Sequence, residues 1–199
     1  MAEARTLDTA LPVEGKGRVG TAWWGMVCLI ATEGIVFAYL IFSYAYLGTQ
    51  TVGGWPPQGP PSLTLALPAT VILFASSFVL EWGKRLGRDG RMAASRAAIL
   101  ATFLMGTAFA GLELKEWSDK PFGLGANAYS SAYYLLTGTH LAHVAVGLLG
   151  LLVLFFWAIT GRLQQGHHEH RAVVTLYWHF VDAVWVFVFT TVYLSPRLT

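Results

Sequence analysis

Six histidines and a handful of carboxylates stand inside or between the long apolar runs of this 199-residue sequence, and they are its candidates for chemistry. Glu33 has apolar residues on both sides. An ionised group at the centre of a bilayer costs at least about 2.5–3.5 kcal/mol on insertion scales. Glu33 must therefore exchange a proton, hold a lipid headgroup, or sit neutral in a hydrogen bond. His140 and His143 are three apart and share one helix face. Such a pair can hydrogen-bond a neighbouring helix, carry a proton or lipid function, or ligate a heme or metal. His179 and Asp182, also three apart, are expected to pair with each other, so that both polar groups are satisfied inside the membrane. His167, His168 and His170 lie beside Glu169 between two apolar runs, either as a proton-gathering surface or as a plain solvated loop. Glu113, Lys115, Glu116 and Asp119 read as a solvated helix end.

Other chemistries are absent from the pattern. The single cysteine, Cys28, permits no disulfide within the chain and no Cys-rich metal spacing. It reads as a small buried hydrophobe. No catalytic constellation, metal site or cofactor site of the chain's own is expected. No nucleic-acid partner is indicated.

The elements that must position these groups follow from composition. Hydrophobic residues make up 55% of the chain and charged ones only 12%, about half the charged share of a soluble domain. A bilayer crossing needs about 20 apolar residues, and five blocks meet that length: Ala22–Leu47, Leu63–Trp82, Ala93–Leu112, Tyr129–Thr160 and Val173–Leu194. Backbone polar groups in lipid must pair within their own segment, so the blocks are helices. No ten-residue alternation suggests a barrel. The fourth block exceeds one crossing, so it must tilt or project, and Gly138, Gly147 and Gly150 allow close helix approach along it. The expectation is an all-α polytopic membrane protein with two parts. Residues 1–21 form a polar cytoplasmic tail with no cleavable signal, and residues 22–199 form one five-helix domain.

Orientation follows from the basic residues. Ten of thirteen Lys and Arg fall on the side of the tail and of the connections after the second and fourth helices. That places the N-terminus inside and the C-terminus outside. At 1.5 Å per residue, Glu33 and Asp182 then lie about 16 and 14 Å from the inner ends of their helices, so the polar groups could form one layer.

The order of motifs resembles subunit III of the heme-copper terminal oxidases, in a bacterial five-helix form. The run Tyr177-Trp178-His179-Phe180-Val181-Asp182-Ala183-Val184-Trp185 resembles that family's last-helix signature. Thr32-Glu33 with Phe37 resembles its glutamate helix, and Gly53-Gly54-Trp55-Pro56-Pro57 its Trp-Pro-Pro loop. Glu116, Pro121-Phe122 and Tyr129-Ser130-Ser131 resemble its outer loop, and Thr137-Gly138-Thr139-His140 with His143-Val144 its two-histidine helix. Leu141 departs from the glycine usual there, and the two further helices of the larger members are not represented. The resemblance implies a cofactor-free subunit packed on subunit I, which bears heme and copper, together with subunit II, membrane lipids and possible bound phospholipid. It implies support of proton uptake and protection of subunit I during cytochrome c oxidation by O2. It also implies that Glu33, His140, His143, His179 and Asp182 line a buried polar layer, and that Trp55, Pro56, Glu116, Trp178 and Trp185 are structural. The rival readings are the equivalent subunit of a quinol oxidase or nitric oxide reductase, a small bis-histidine heme protein, and a proton-coupled transporter using Glu33 and Asp182.

Overall fold

The computed structural model describes residues 20–162 and 168–198, and over them the chain is all-helical. The elements are α1 (Thr21–Gln50), α2 (Leu63–Arg88), α3 (Met92–Ser118), α4 (Ala128–Ile159) and α5 (His168–Phe189). The last continues through a π turn, Thr190–Leu194, and a 3₁₀ turn, Ser195–Arg197. All five helices are long and apolar enough to cross a membrane. Most extend beyond the apolar blocks, because a helix stops where its backbone pairing is broken and not where hydropathy falls. Residues 1–19 and His167 lie outside the described residues.

Local sequence sets the helix ends. At α2, Ser62 Oγ accepts from Thr64 N at 3.2 Å. At α4, Asn127 Oδ1 accepts from Ser130 N at 2.8 Å while Ser130 Oγ accepts from Asn127 N at 3.0 Å, a reciprocal cap. Gly90, with φ 78°, ends α2. Arg91 N then donates to Leu86 O at 2.9 Å, and Gly90 N donates to Gly87 O at 3.4 Å. This terminator uses the left-handed conformation that glycine tolerates, and it folds α3 back along α2. The two helices touch closely enough that a Cβ on Gly83 would collide with Ala98.

α5 is the central helix, packed on α1, α2 and α4. Lipid tails are as apolar as leucine, so close packing and interhelical hydrogen bonds must hold such a bundle. Trp178 and Trp185 on α5 supply both and are fully buried. The Trp178 ring fills a slot cut by two glycines: a Cβ would lie 2.5 Å from it at Gly106 on α3 and 2.8 Å at Gly147 on α4. Its Nε1 donates to Ser76 Oγ at 2.9 Å, and Trp185 Nε1 donates to Thr70 Oγ1 at 2.9 Å. Both acceptors are on α2. The Arg197 guanidinium donates to the carbonyls of Tyr193 and Pro61, which ties the end of the chain to the α1–α2 connection.

α1 lies outermost, resting chiefly on α5 and α4 and burying only Phe37 and Tyr44. Cys28 is exposed on it and not buried as expected, because α1 turns most of its surface away from the bundle. Trp55, next to Pro56, folds back over α1. Its ring meets Tyr44 at 5.2 Å and Tyr129 at 5.1 Å, and Gly48 provides the room.

Candidate functional site

The polar side chains of the interior fall into three separate places. The first joins α1 to α4. Glu33 Oε2 lies 3.2 Å from His143 Nε2, and His143 Nδ1 lies 2.7 Å from the Thr139 carbonyl. A carbonyl only accepts, so Nδ1 carries a hydrogen. The Glu33 contact then requires one further proton, sited on the carboxyl or on Nε2. The pair therefore holds one exchangeable proton. It opens on a lateral groove of about 240 Å³ lined by Leu29, Glu33, Ala142, His143, Val146 and Tyr177.

This arrangement gives a prediction. Glu33→Gln places an amide donor against Nε2 and should change stability by less than about 1 kcal/mol. Glu33→Leu leaves Nε2 without a partner and should cost about 1–3 kcal/mol. Thermal unfolding of the two variants in one detergent separates them, and equal losses would remove the hydrogen bond as the cause.

His140 does not join its neighbour. It is fully buried, and neither ring nitrogen has a hydrogen-bond partner among the described residues. Aromatic rings enclose it: Trp185 at 4.9 Å, Phe109 at 5.8 Å and Phe37 at 6.3 Å. Three residues along a helix turn about 60° away from exact alignment, enough to send His143 to the groove and His140 to the core.

The second place joins α2 to α5. His179 and Asp182 do not bond each other; both reach Ser77. Ser77 Oγ donates to Asp182 Oδ2, and His179 Nδ1 lies 3.1 Å from Ser77 Oγ. A hydroxyl has one hydrogen, so Ser77 accepts from Nδ1–H, which fixes the tautomer. His179 Nε2 then faces Glu81 Oε2 at 4.0 Å, and Glu81 is held by Lys84 at 3.0 Å and Arg85 at 3.9 Å. The order Glu81, His179, Ser77, Asp182 runs from the basic end of α2 into the bundle. Asp182 Oδ1 ends it, buried and without a partner among the described residues.

The third place corrects the reading of the end of α3. Lys115 and Asp119 do form a solvated pair, at 2.6 Å and half-exposed or more. Glu113 and Glu116 point the other way and are buried, 1% and 6% exposed. Glu116 Oε1 accepts from Lys120 Nζ at 2.7 Å, Tyr193 OH at 2.8 Å and Tyr133 OH at 3.2 Å. Neither oxygen of Glu113 has a partner among the described residues.

Several working residues were not singled out from the sequence: Thr70, Ser76, Ser77 and Glu81 on α2, and the donors Lys120, Tyr133 and Tyr193. Spacing carried part of the signal. Glu113 and Glu116 fall on one face of α3, and Lys115 on another. Of the three-histidine loop, His167 lies outside the described residues. His168 opens α5, and the His170 ring packs on Trp157 at 5.0 Å. Among the described residues no group of three or more His, Cys, Asp and Glu could hold a metal. His140 and His143 on α4 and His179 on α5, the histidines a heme shared between those helices would draw on, have different neighbours.

Fold and polar interior together define a polytopic helical membrane protein with polar groups held by interhelical bonds. The chain belongs to the cytochrome c oxidase subunit III family, whose model matches residues 17–196. It is similar to cytochrome c oxidase subunit 3 of Synechocystis sp., with 34% identity over 193 residues, 94% of this chain and 82% of the relative. A probable cytochrome c oxidase subunit 3 of Mycobacterium leprae is 33% identical over 193 residues, covering 94% and 96%. Cytochrome bo(3) ubiquinol oxidase subunit 3 of Pseudomonas aeruginosa is 33% identical over 182 residues, covering 90% and 87%. The chain is thus a subunit of a heme-copper oxidase, an oxidoreductase complex.

Proposed function

We propose that the chain is the accessory subunit, without heme or copper of its own, of a proton-pumping oxidase that passes electrons from cytochrome c to O2. It packs on subunit I, with subunit II in the same complex, supports proton uptake there and preserves subunit I during turnover. Its membrane is the bacterial cytoplasmic membrane, with the N-terminus inside. The observation that carries the reading is the family match over residues 17–196. Two further features support it. Glu33 and His143 share one proton at the bundle's side, and Ser77 bridges His179 to Asp182. The positive-inside rule supports the orientation.

Affinity purification of the chain in mild detergent tests the proposal. Larger heme-bearing subunits should co-elute, with cyanide-sensitive O2 uptake driven by reduced cytochrome c. A chain that elutes alone, with or without a heme spectrum of its own, would overturn it. A second reading has its own support, since the Pseudomonas aeruginosa relative, named as a ubiquinol oxidase subunit, is as similar as the Mycobacterium leprae one. O2 uptake driven by quinol and not by cytochrome c would select it.

A further inference from the structure

α5 is central to the bundle, yet one of its sides is left open among the described residues. Ala172, Leu176, His179, Ala183 and Val186 are half-buried or exposed, and they stand four, three, four and three residues apart. That is the spacing of a seam along which one helix packs on another. Neighbours bound the stripe on both sides. Phe180 meets Phe37 of α1 with ring centres 6.4 Å apart, and Asp182 is bonded to Ser77 of α2. At 3.6 residues per turn, Phe180 and Asp182 project about 80° to either side of the stripe's midline. The stripe is thus the floor of a groove between α1 and α2, and Ala172 and Ala183 let another backbone come close to it.

The floor is not wholly apolar. His179 stands in the middle of the stripe with its side chain 41% exposed. It lies nine residues beyond His170, where the membrane-crossing stretch begins, which is about 14 Å and close to the centre of the hydrocarbon. Nδ1 directs its hydrogen to Ser77, so Nε2 of the neutral ring is an acceptor. Glu81 Oε2, 4.0 Å from Nε2, is beyond hydrogen-bond reach and is itself an acceptor, held by Lys84 at 3.0 Å. Two acceptors therefore stand side by side, and Nε2 has no donor among the described residues. Lipid tails carry no donor, and the headgroups lie half a bilayer away. Ionisable side chains at this depth face other helices or a water-filled cavity, whereas His179 faces the side of the bundle. A donor on a neighbouring protein helix completes it, and the electron-rich pair of His179 and Glu81 complements such a group in charge.

We propose that the groove between α1 and α2, floored by α5, receives a membrane-spanning helix of another oxidase subunit, and that this helix sets an O–H or N–H donor against His179 Nε2. The inference rests on the chain's place in a multi-subunit oxidase, and it adds the face and the contact by which the chain is held there. The groove is separate from the Glu33–His143 groove, which opens between α1 and α4.

The test uses the full chain, purified in mild detergent with the subunits it carries. The photo-crosslinker p-benzoylphenylalanine replaces either Phe187, exposed on α5 beside the stripe, or Phe156, exposed on α4 behind α5. Irradiation should join position 187, and not position 156, to a membrane-spanning segment of another subunit, located by mass spectrometry. His179→Leu should weaken retention of the chain by the other subunits about fivefold to a hundredfold, as expected when a buried donor loses its acceptor. His179→Gln, which keeps an acceptor oxygen, should recover most of that loss. Ala183→Trp adds bulk at an exposed position. It should leave the thermal unfolding of the chain unchanged and still lower its co-elution. Capture of lipid alone, or of a second copy of this chain, from position 187 while other subunits co-elute would overturn the proposal. Retention by His179→Leu equal to the wild type would overturn the contact at Nε2. A wild-type chain that brings no other subunit would instead overturn the membership on which the inference rests.

Discussion

Replacing Glu116 by leucine is expected to lower the stability of the purified protein by about 3–5 kcal/mol, the usual result of removing one partner from a buried ion pair. Asp119→Leu, three residues further on, should change it by less than about 0.5 kcal/mol, as exposed pairs commonly do. The contrast rests chiefly on burial, because both carboxylates pair with a lysine four residues away. Glu116 and Lys120 have side chains 7% and 11% exposed, against 50% and 61% for Asp119 and Lys115. Loss of Glu116 also strips an acceptor from the hydroxyls of Tyr133 and Tyr193. Lys120 can relieve part of the loss by turning its ammonium outward along its apolar stem, which favours the lower end of the range. Glu116→Gln, which keeps an oxygen for the tyrosines but not the charge for Lys120, should fall between. Tryptophan fluorescence during unfolding in one detergent measures all three. Equal losses for the positions 116 and 119 would mean that the cluster at the end of α3 is open to water.

That cluster shows where the sequence is readable and where it is not. Hydropathy located all five helices, because a bilayer crossing demands an apolar run of fixed length and little in the chain competes with that demand. Helix ends were read short. The turns that carry Lys84–Arg88 and Glu113–Ser118 are polar yet still helical, until Gly90 or the start of the next connection stops them. Ionisable residues inside apolar runs put Glu33, His143, His179 and Asp182 on the page from residue types alone. Their partners were less visible. Ser77 looks like any hydroxyl in an apolar helix, since such groups are satisfied by their own helix's carbonyls, as Thr70 is by Ala66 at 2.7 Å. Only the approach of α5 shows that Ser77 bridges His179 and Asp182. His140 and His143 share a sequence motif but not an environment, because aromatic rings from α1, α3 and α5 close over one and leave the other at a groove. Side-chain partners on other helices depend on rotation about each helix axis, and five nearly uniform apolar helices leave that rotation weakly marked.

Trp178 is where that rotation is fixed for α5, and truncating it should be costly. Trp178→Ala in a soluble core would lose about 3–5 kcal/mol. In a bilayer much of the transfer part disappears, because the unfolded helix stays in lipid, while the packing lost to a void remains. Ser76 Oγ also loses its donor. About 2–4 kcal/mol is therefore expected. Gly106→Leu attacks the same contact from α3. The new side chain enters the volume of the ring and of Leu148, and overpacking should cost about 1–3 kcal/mol. Combined, the two changes oppose each other, because the leucine occupies the space the indole vacates. The double variant should be more stable than the sum of the single losses by at least about 1 kcal/mol, within the range for residues in contact. Strict additivity would place the indole elsewhere than between Gly106 and Gly147. The same series reports on function, since His179 follows Trp178 and Asp182 lies one turn further along α5. A variant that lets the ring leave its slot turns α5, breaks the Ser77 bridge and should weaken retention of the chain by the oxidase. The double variant should recover more of that retention than Trp178→Ala alone.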